Sequence, residues 1–224
     1  MAKEHTKYYN SKNEEVPSTT TVLKLLNKNL DGWANSLGFR HINIQKYLEE
    51  KAALGTYIHS VSEKYFNPDM KPDVHPDSNF MSGRDYSELL YRLDYVNTYL
   101  SDIGYKPLYQ EFIMSGERYG GTLDLLFYNE ELNKYLLVDL KSSKGLYNTM
   151  YMQLMGYVQL LEELHGIHVD EVAILLILKD MDDEDFLKIY NTDTHFCQHY
   201  LEIFNQLLNI YYILDDEERS KIIK

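Results

Sequence analysis

Two aspartates and a lysine on neighbouring strand-like segments are the residues of this chain best suited to chemistry. Asp124 follows Gly121, and Asp139 and Lys141 stand two positions apart, at the end of an apolar run. Residues two apart on a strand project from the same face. Carboxylates bind hard divalent cations, which polarise a phosphate and lower the pKa of a bound water. With a lysine to orient that water or neutralise developing charge, the pattern predicts metal-assisted hydrolysis of a phosphodiester.

The surroundings of these charged residues strengthen this prediction. Asp139 and Lys141 close a segment that is expected to be a central strand, where charges without a partner are costly. A tight turn between the two strands would bring Asp124 and Asp139 to one end of the sheet. Taken alone, the D-x-K pattern has a simpler interpretation, a solvated strand end.

The elements that must position these residues follow from hydrophobic periodicity and capping signals. Helices are predicted over residues 43–66, 85–103, 148–165 and 194–214. Strands are predicted over residues 108–114, 121–128, 135–140, 172–178 and 186–190. The first three strands form an antiparallel meander, and the apolar run 172–178 is typical of a strand covered on both faces. A short helix is also expected after the hydroxyl-rich residues 17–21.

This order of elements predicts an α/β or α+β fold, with a central mixed sheet flanked by helices. Residues 1–16 are polar and unpatterned, and we expect a flexible N-terminal arm there. Residues 17–224 are expected to form a single domain. Within it, residues 17–105 form a helical part, and residues 106–224 form the core that carries the chemistry.

Composition excludes several classes of protein. The single cysteine, Cys197, cannot form an internal disulfide or build a cysteine-rich metal site. No apolar run is long enough to span a membrane, and the first ten residues are polar where a signal peptide would be apolar. We therefore expect a cytoplasmic protein. The net charge of -13 argues against nonspecific coating of nucleic acid, although residues 1–60 hold eight basic and six acidic residues.

Four short motifs resemble those of one known nuclease family. They are Gly55-Thr56-Tyr57-Ile58-His59, Gly121-Thr122-Leu123-Asp124, Asp139-Leu140-Lys141 and Gln153-Leu154-Met155-Gly156-Tyr157. Their types and order resemble the PD-(D/E)XK nuclease superfamily, and its RecB-type exonuclease branch in particular. The segment Pro17–Leu23 is also similar to phage exonucleases and to the mitochondrial genome-maintenance exonuclease group. Leucine precedes Asp124 where the superfamily name has proline, as is usual in the RecB-type branch.

The resemblance implies a restriction-endonuclease-like core and a role for each matched residue. His59, Asp124, Asp139 and the backbone carbonyl of Leu140 would bind one or two Mg²⁺ or Mn²⁺ ions, and Lys141 would be the catalytic lysine. The remaining implied residues are Gln153 and Tyr157, which would line the site and steady the lysine or the DNA backbone, and Glu111, a candidate extra metal ligand.

Further candidates lie near these motifs or in the N-terminal part. Lys144 and Ser142 follow the D-x-K motif and are candidates for binding the DNA phosphates. Trp33 would either stack on a base at a strand end or pack within the helical layer, and packing is favoured. His165 and His168 suggest zinc, but further ligands at suitable spacing are missing. A capping or surface role is therefore expected for both.

The function implied is a metal-dependent exonuclease that acts on DNA ends, in phage or bacterial recombination, replication or processing. One alternative is a structure- or site-selective endonuclease of the same superfamily. The other is a DNA-binding or protein-interaction module that keeps the fold without turnover. DNA that is single-stranded or has free ends is the expected partner, and a homo-oligomer or a recombination or replication partner protein is also considered.

Overall fold

The computed structural model of this chain has an α+β architecture, as predicted. In the part of the chain that the structure describes, six helices flank a mixed five-stranded sheet, and a small two-stranded sheet lies near the N-terminus. The structure describes residues 6–26, 39–67, 69–71, 73, 75–77, 79–143, 145–177, 187–214 and 216–222. Within these residues, no helix combines the length and the apolar character that crossing a membrane requires.

The central sheet has the strand order β3-β4-β5-β6-β7. These strands are β3 (Tyr105–Ser115), β4 (Gly120–Asn129), β5 (Lys134–Lys141), β6 (Glu171–Leu176) and β7 (Leu187–Asn191). β3, β4 and β5 pair antiparallel, which confirms the predicted meander. β5 and β6 pair parallel, so the chain must cross over between them, and it does so through a helix.

The helices agree with their predicted ranges to within one or two residues, apart from a short sixth helix. They are α1 (Thr19–Leu23), α2 (Ile44–Phe66), α3 (Gly83–Asp102), α4 (Asn148–His165), α5 (His195–Ile213) and α6 (Asp216–Ile222). Ser18, Asn43, Ser82 and Thr194 each cap a helix by accepting a hydrogen bond from the backbone N–H three residues further on. α4 is the crossover between β5 and β6.

Two hydrophobic clusters lie on opposite faces of the sheet. One is formed with α1, α4 and α5 and contains Leu137 and Ile174, and the other is formed with α2 and α3 and contains Val138 and Ala173. Alternate residues of β5 and β6 therefore enter different clusters, as expected for strands covered on both faces. This arrangement holds Asp124, in the middle of β4, and Asp139, near the end of β5, between two helical layers.

The N-terminal residues depart from the expected flexible arm. Residues 6–16 contain β1 (Tyr8–Tyr9) and β2 (Glu15–Val16), which pair antiparallel. Both the backbone N–H and the carbonyl of Tyr9 bond to the Ser115 hydroxyl, and Tyr8 is only 7% exposed. The segment packs on β3 and β4, and this partner surface is not visible in the local sequence. Residues 1–5 lie outside the described residues.

Candidate functional site

His59, Glu111 and Asp124 form a group that can hold a metal ion. Their ligand atoms all lie within 4.8 Å of one another. The Nδ1 atom of His59 is 3.2 Å from Oε1 of Glu111 and 3.2 Å from Oδ1 of Asp124. α2 contributes the histidine, β3 the glutamate and β4 the aspartate, so the group joins one helix to two neighbouring strands.

The electrostatics of this group favour a positive charge at its centre. The Asp124 carboxylate raises the pKa of His59 to about 10; burial opposes this shift and Glu111 adds to it. Without a bound cation between the two carboxylates, the imidazole of His59 is therefore protonated at neutral pH. Two carboxylates gathered around one positive charge are the environment that a divalent cation also requires.

Glu111 reaches this group through an unusual backbone conformation. Its φ angle is +43°, in the left-handed region that non-glycine residues seldom adopt. The pairing of β3 with β4 is in register on both sides of it, from Gln110 opposite Leu125 to Phe112 opposite Leu123. Such strain persists where the surrounding structure enforces it, and it is concentrated at functional sites.

A second set of contacts connects Asp139 to helix α4. The ammonium of Lys141 lies 2.6 Å from Oδ2 of Asp139 and donates a hydrogen bond to Oε1 of Gln153 at 3.0 Å. The amide nitrogen of Gln153 then donates to the Tyr157 hydroxyl at 2.8 Å. Gln153 and Tyr157 lie four residues apart on one face of α4. The helix therefore fixes the lysine at the end of β5.

The two buried aspartates have pKa values shifted in opposite directions. Burial raises the pKa of Asp139 to about 6, although the Lys141 charge opposes this. Burial is the largest single influence on Asp124 and would raise its pKa. The charge and hydrogen bond of His59, the charge of Lys141 and a hydrogen bond from Leu140 together outweigh burial and lower that pKa. Acidic pairs separated in this way are typical of sites that carry chemistry.

Asp139 also has a free ligand atom. Its carboxylate is 1% exposed, and Oδ1 has no hydrogen-bond partner among the residues that the structure describes. A buried oxygen of this kind is costly unless something occupies its lone pairs, and a cation is such a partner. Asp139 lies outside the close group of His59, Glu111 and Asp124. Its role as a metal ligand therefore stays a prediction.

Of the remaining candidates from the sequence, Leu140 and Ser142 lie at or directly after the end of β5. Leu140 donates its backbone N–H to Oδ2 of Asp124 at 2.7 Å, which orients that carboxylate; a metal-binding role for its carbonyl stays a prediction. Ser142 is half-buried directly after β5. Trp33 and Lys144 lie outside the described residues. His168 is exposed and 3.6 Å from Glu162.

Two residues that sequence reasoning missed support the base of the site. The Tyr8 hydroxyl lies 2.9 Å from the Thr122 hydroxyl, two positions before Asp124. The hydroxyl of Thr19 donates to the carbonyl of Gly120 at 3.0 Å. Tyr8 stands in no motif, and Thr19 belongs to the segment Pro17–Leu23, to which no site role was assigned. Only the packing of the N-terminal segment on β4 reveals these two contacts.

Gly121 must lack a side chain for Tyr157 to occupy its position. A Cβ atom added at Gly121 would lie 2.4 Å from Cε1 of Tyr157, whose ring is 4% exposed. We predict that Gly121→Ala lowers the free energy of unfolding by about 1–3 kcal/mol, the usual cost of overpacking. Urea denaturation measures this loss. Gly83→Ala is the control, since no atom lies within 4 Å of its added Cβ; equal stabilities of the two variants would contradict the prediction.

The comparisons with known protein families and with curated proteins found no match to this chain. The geometry of the site and the motif resemblance are therefore the grounds for a functional proposal.

Proposed function

We propose that this protein is a divalent-metal-dependent deoxyribonuclease of the PD-(D/E)XK type that degrades DNA from its ends. One observation carries the proposal. A group able to hold a metal ion, His59, Glu111 and Asp124, is connected through the aspartate to β5, where Lys141 lies beside a buried Asp139. Acidic and imidazole ligands next to a half-buried lysine are functional groups suited to metal-assisted phosphodiester hydrolysis.

The residues fit Mg²⁺ or Mn²⁺ by their chemistry. Glu111 and Asp124 offer carboxylate oxygens, Asp139 offers an oxygen without a partner, and His59 offers a ring nitrogen. Hard divalent ions such as Mg²⁺ and Mn²⁺ prefer oxygen ligands, which three of these four residues supply. When bound, the ion would supply the charge that polarises the scissile phosphate and makes a water acidic enough to attack it.

Lys141 supplies the fixed positive charge of the proposed mechanism. The charges of Asp139 and Asp124 raise the pKa of Lys141 despite its burial, so the ammonium is charged at neutral pH. It would stabilise negative charge that develops on the phosphate and orient the attacking water. Gln153 holds the ammonium in place, and the hydroxyl of Tyr157 holds the amide of Gln153.

The wider assignment rests on the resemblance in the motifs. A RecB-type exonuclease would act in phage or bacterial DNA recombination, replication or processing, in the cytoplasm, either alone or with a partner protein of that process. An endonuclease would use the same site. A binding module without turnover would have no need of the buried Asp139–Lys141 pair, whose desolvation is costly.

The test compares two DNA molecules of the same sequence. One is linear with a 5′ or 3′ label, and the other is a covalently closed circle; each is incubated with Mg²⁺, with Mn²⁺ and with a chelator. We expect metal-dependent loss of the linear molecule only, and the label reports the polarity. Cleavage of the circle would replace the exonuclease with the endonuclease. If both molecules stay intact while DNA is bound, the proposed activity is wrong.

A further inference from the structure

A row of exposed apolar side chains follows the outer face of α3. Tyr91, Tyr95, Tyr99 and Ile103 stand four positions apart, and each is more than 40% exposed. Single apolar residues on a surface are ordinary, whereas a contiguous apolar patch is typical of an interaction site. A surface helix normally presents charged or polar residues to solvent. This row, which we call the α3 ridge, is therefore a candidate for contact with another molecule.

Two open depressions lie along the α3 ridge. One, of about 320 Å³, is lined by all three tyrosines. The other, of about 570 Å³, begins at Tyr91 and extends to Tyr65 and Leu90. Side chains four residues apart form the ridge that inserts into the groove of a facing helix in the commonest class of helix packing. The shape of this surface therefore fits an α-helix.

The charges around the α3 ridge are mainly negative. Asp94 and Asp102 line the smaller depression, and Asp73 and Lys71 line the larger one. Within the part of the chain that the structure describes, neither Asp94 nor Asp102 forms an ion pair. Asp102 also ends α3, whose last turn holds no basic residue, so the negative end of the helix dipole adds to its charge. A positively charged partner would supply the missing counter-charge.

This charge distribution distinguishes between the possible occupants of the ridge. Nucleic acid is disfavoured, because its phosphates would meet unpaired carboxylates. A second copy of this chain, whose net charge is -13, would bring the same acidic side chains against them. Tyrosine rings bind guanidinium and ammonium groups through cation–π contacts, and tyrosine and arginine are enriched at the centres of protein interfaces. A helix that carries arginine or lysine beside its apolar face satisfies these conditions.

We propose that the α3 ridge binds a basic, amphipathic α-helix of a partner protein. The tyrosines pack against the apolar face of that helix. Its arginine or lysine side chains pair with Asp94, in the negative field to which Asp102 and the end of α3 contribute. None of these residues belongs to the metal-binding group, so the contact requires neither metal nor DNA.

Two synthetic peptides test this contact with the full-length protein. Both form the same amphipathic helix with leucine on its apolar face; one carries arginine and lysine beside that face, and the other carries glutamate at the same positions. We expect fluorescence anisotropy to show saturable binding of the basic peptide only, with an affinity that falls as the NaCl concentration rises. Equal binding of both peptides, or no saturation by the basic peptide up to about 1 mM, would overturn the proposal.

Two substitutions separate the aromatic from the acidic contribution. Tyr91→Ala should weaken binding of the basic peptide about 10-fold, because Tyr91 lines both depressions. Asp94→Asn keeps an acceptor for the Tyr65 hydroxyl but loses the charge, and it should weaken binding about 2–5-fold and reduce the salt dependence. Tyr9→Ala is the matched control, since Tyr9 is 42% exposed on β1 and bonds to Ser115 only through its backbone. An unchanged affinity in Tyr91→Ala, or an equal loss in Tyr9→Ala, would contradict the assignment.

The wild-type protein allows a measurement that does not depend on the folding of any variant. A benzophenone on the apolar face of the basic peptide should crosslink to α3, as located by mass spectrometry of the digested conjugate. Three results would overturn the proposal even if Tyr91→Ala were to unfold. They are crosslinks only outside α3, a dimer of the protein alone that the basic peptide dissociates, and displacement of the peptide by oligothymidylate. The second would make another copy of this chain the occupant, and the third would make it nucleic acid.

Discussion

Replacement of Lys141 by alanine is expected to lower the rate of DNA cleavage by about 10³-fold, the size of effect seen when one fixed donor to a charged transition state is removed. The affinity for DNA, measured in chelator, should change little. A loss of rate without a loss of binding is the signature of an interaction made mainly in the transition state.

The reason for so large an effect is the rigidity of the lysine. Its ammonium is held between Asp139 and Gln153, and its side chain is only 20% exposed. Water cannot easily replace it, because the space is bounded by the two helical layers. The substitution also leaves Asp139 buried without its cation, which destabilises a protein. Thermal unfolding must therefore be followed on the same sample, with the assay kept below the transition.

The control for this experiment is Lys106→Ala. Lys106 is an exposed lysine of β3, the strand that also carries Glu111, so it tests whether loss of any positive charge near the sheet matters. We expect its activity to equal that of the wild type. A folded Lys141→Ala variant with more than a tenth of the wild-type rate would show that the lysine is not the central cation of the mechanism.

The second large effect concerns metal binding rather than turnover. For the wild-type protein, Mn²⁺ at about 100 times its dissociation constant should stabilise the fold by about 2.7 kcal/mol, or about 5–10 °C in Tm. Asp124→Asn should abolish this stabilisation. An asparagine can still accept the hydrogen bond from Leu140 N–H, but it lacks the charge that a divalent ion requires. Differential scanning fluorimetry with and without Mn²⁺ measures the difference.

Asp102→Asn is the matched control for the metal experiment. Asp102 is an exposed aspartate at the end of α3, and it is not part of the metal-binding group. Its variant should keep the full Mn²⁺ response. A Mn²⁺ response that survives in Asp124→Asn would place the ion elsewhere on the molecule. No Mn²⁺ response in the wild-type protein would remove the support for a metal centre altogether.

The sequence was most informative where local pattern and burial agree. The apolar run before Asp139 predicted a central strand, and β5 is buried on both faces. The spacing of Gln153 and Tyr157 predicted one helical face, and the structure joins them by a hydrogen bond. Both predictions depend on periodicities of two and about four residues, which the chain displays locally.

Other features could not be predicted because they depend on distant contacts or on single dihedral angles. The left-handed backbone at Glu111 has no signal in residue types. Only the structure shows that Glu111, and not Asp139, forms the close group with His59 and Asp124. The strands of the N-terminal segment are two residues long, too short for a pattern. These strands are held on the sheet by the contact of Tyr8 with Thr122 and by the hydrogen bonds between Tyr9 and Ser115.

That contact has a consequence for the order in which the chain folds. Tyr9 leaves the ribosome 106 residues before Ser115, its hydrogen-bond partner. The N-terminal strands therefore cannot dock on the sheet until β3 and β4 have paired. Contacts so distant in sequence close a long loop and tend to form late. The docking of β1 and β2 on the central sheet would therefore be completed last during synthesis. In the folded protein, this N-terminal segment would be the first part to detach without global unfolding.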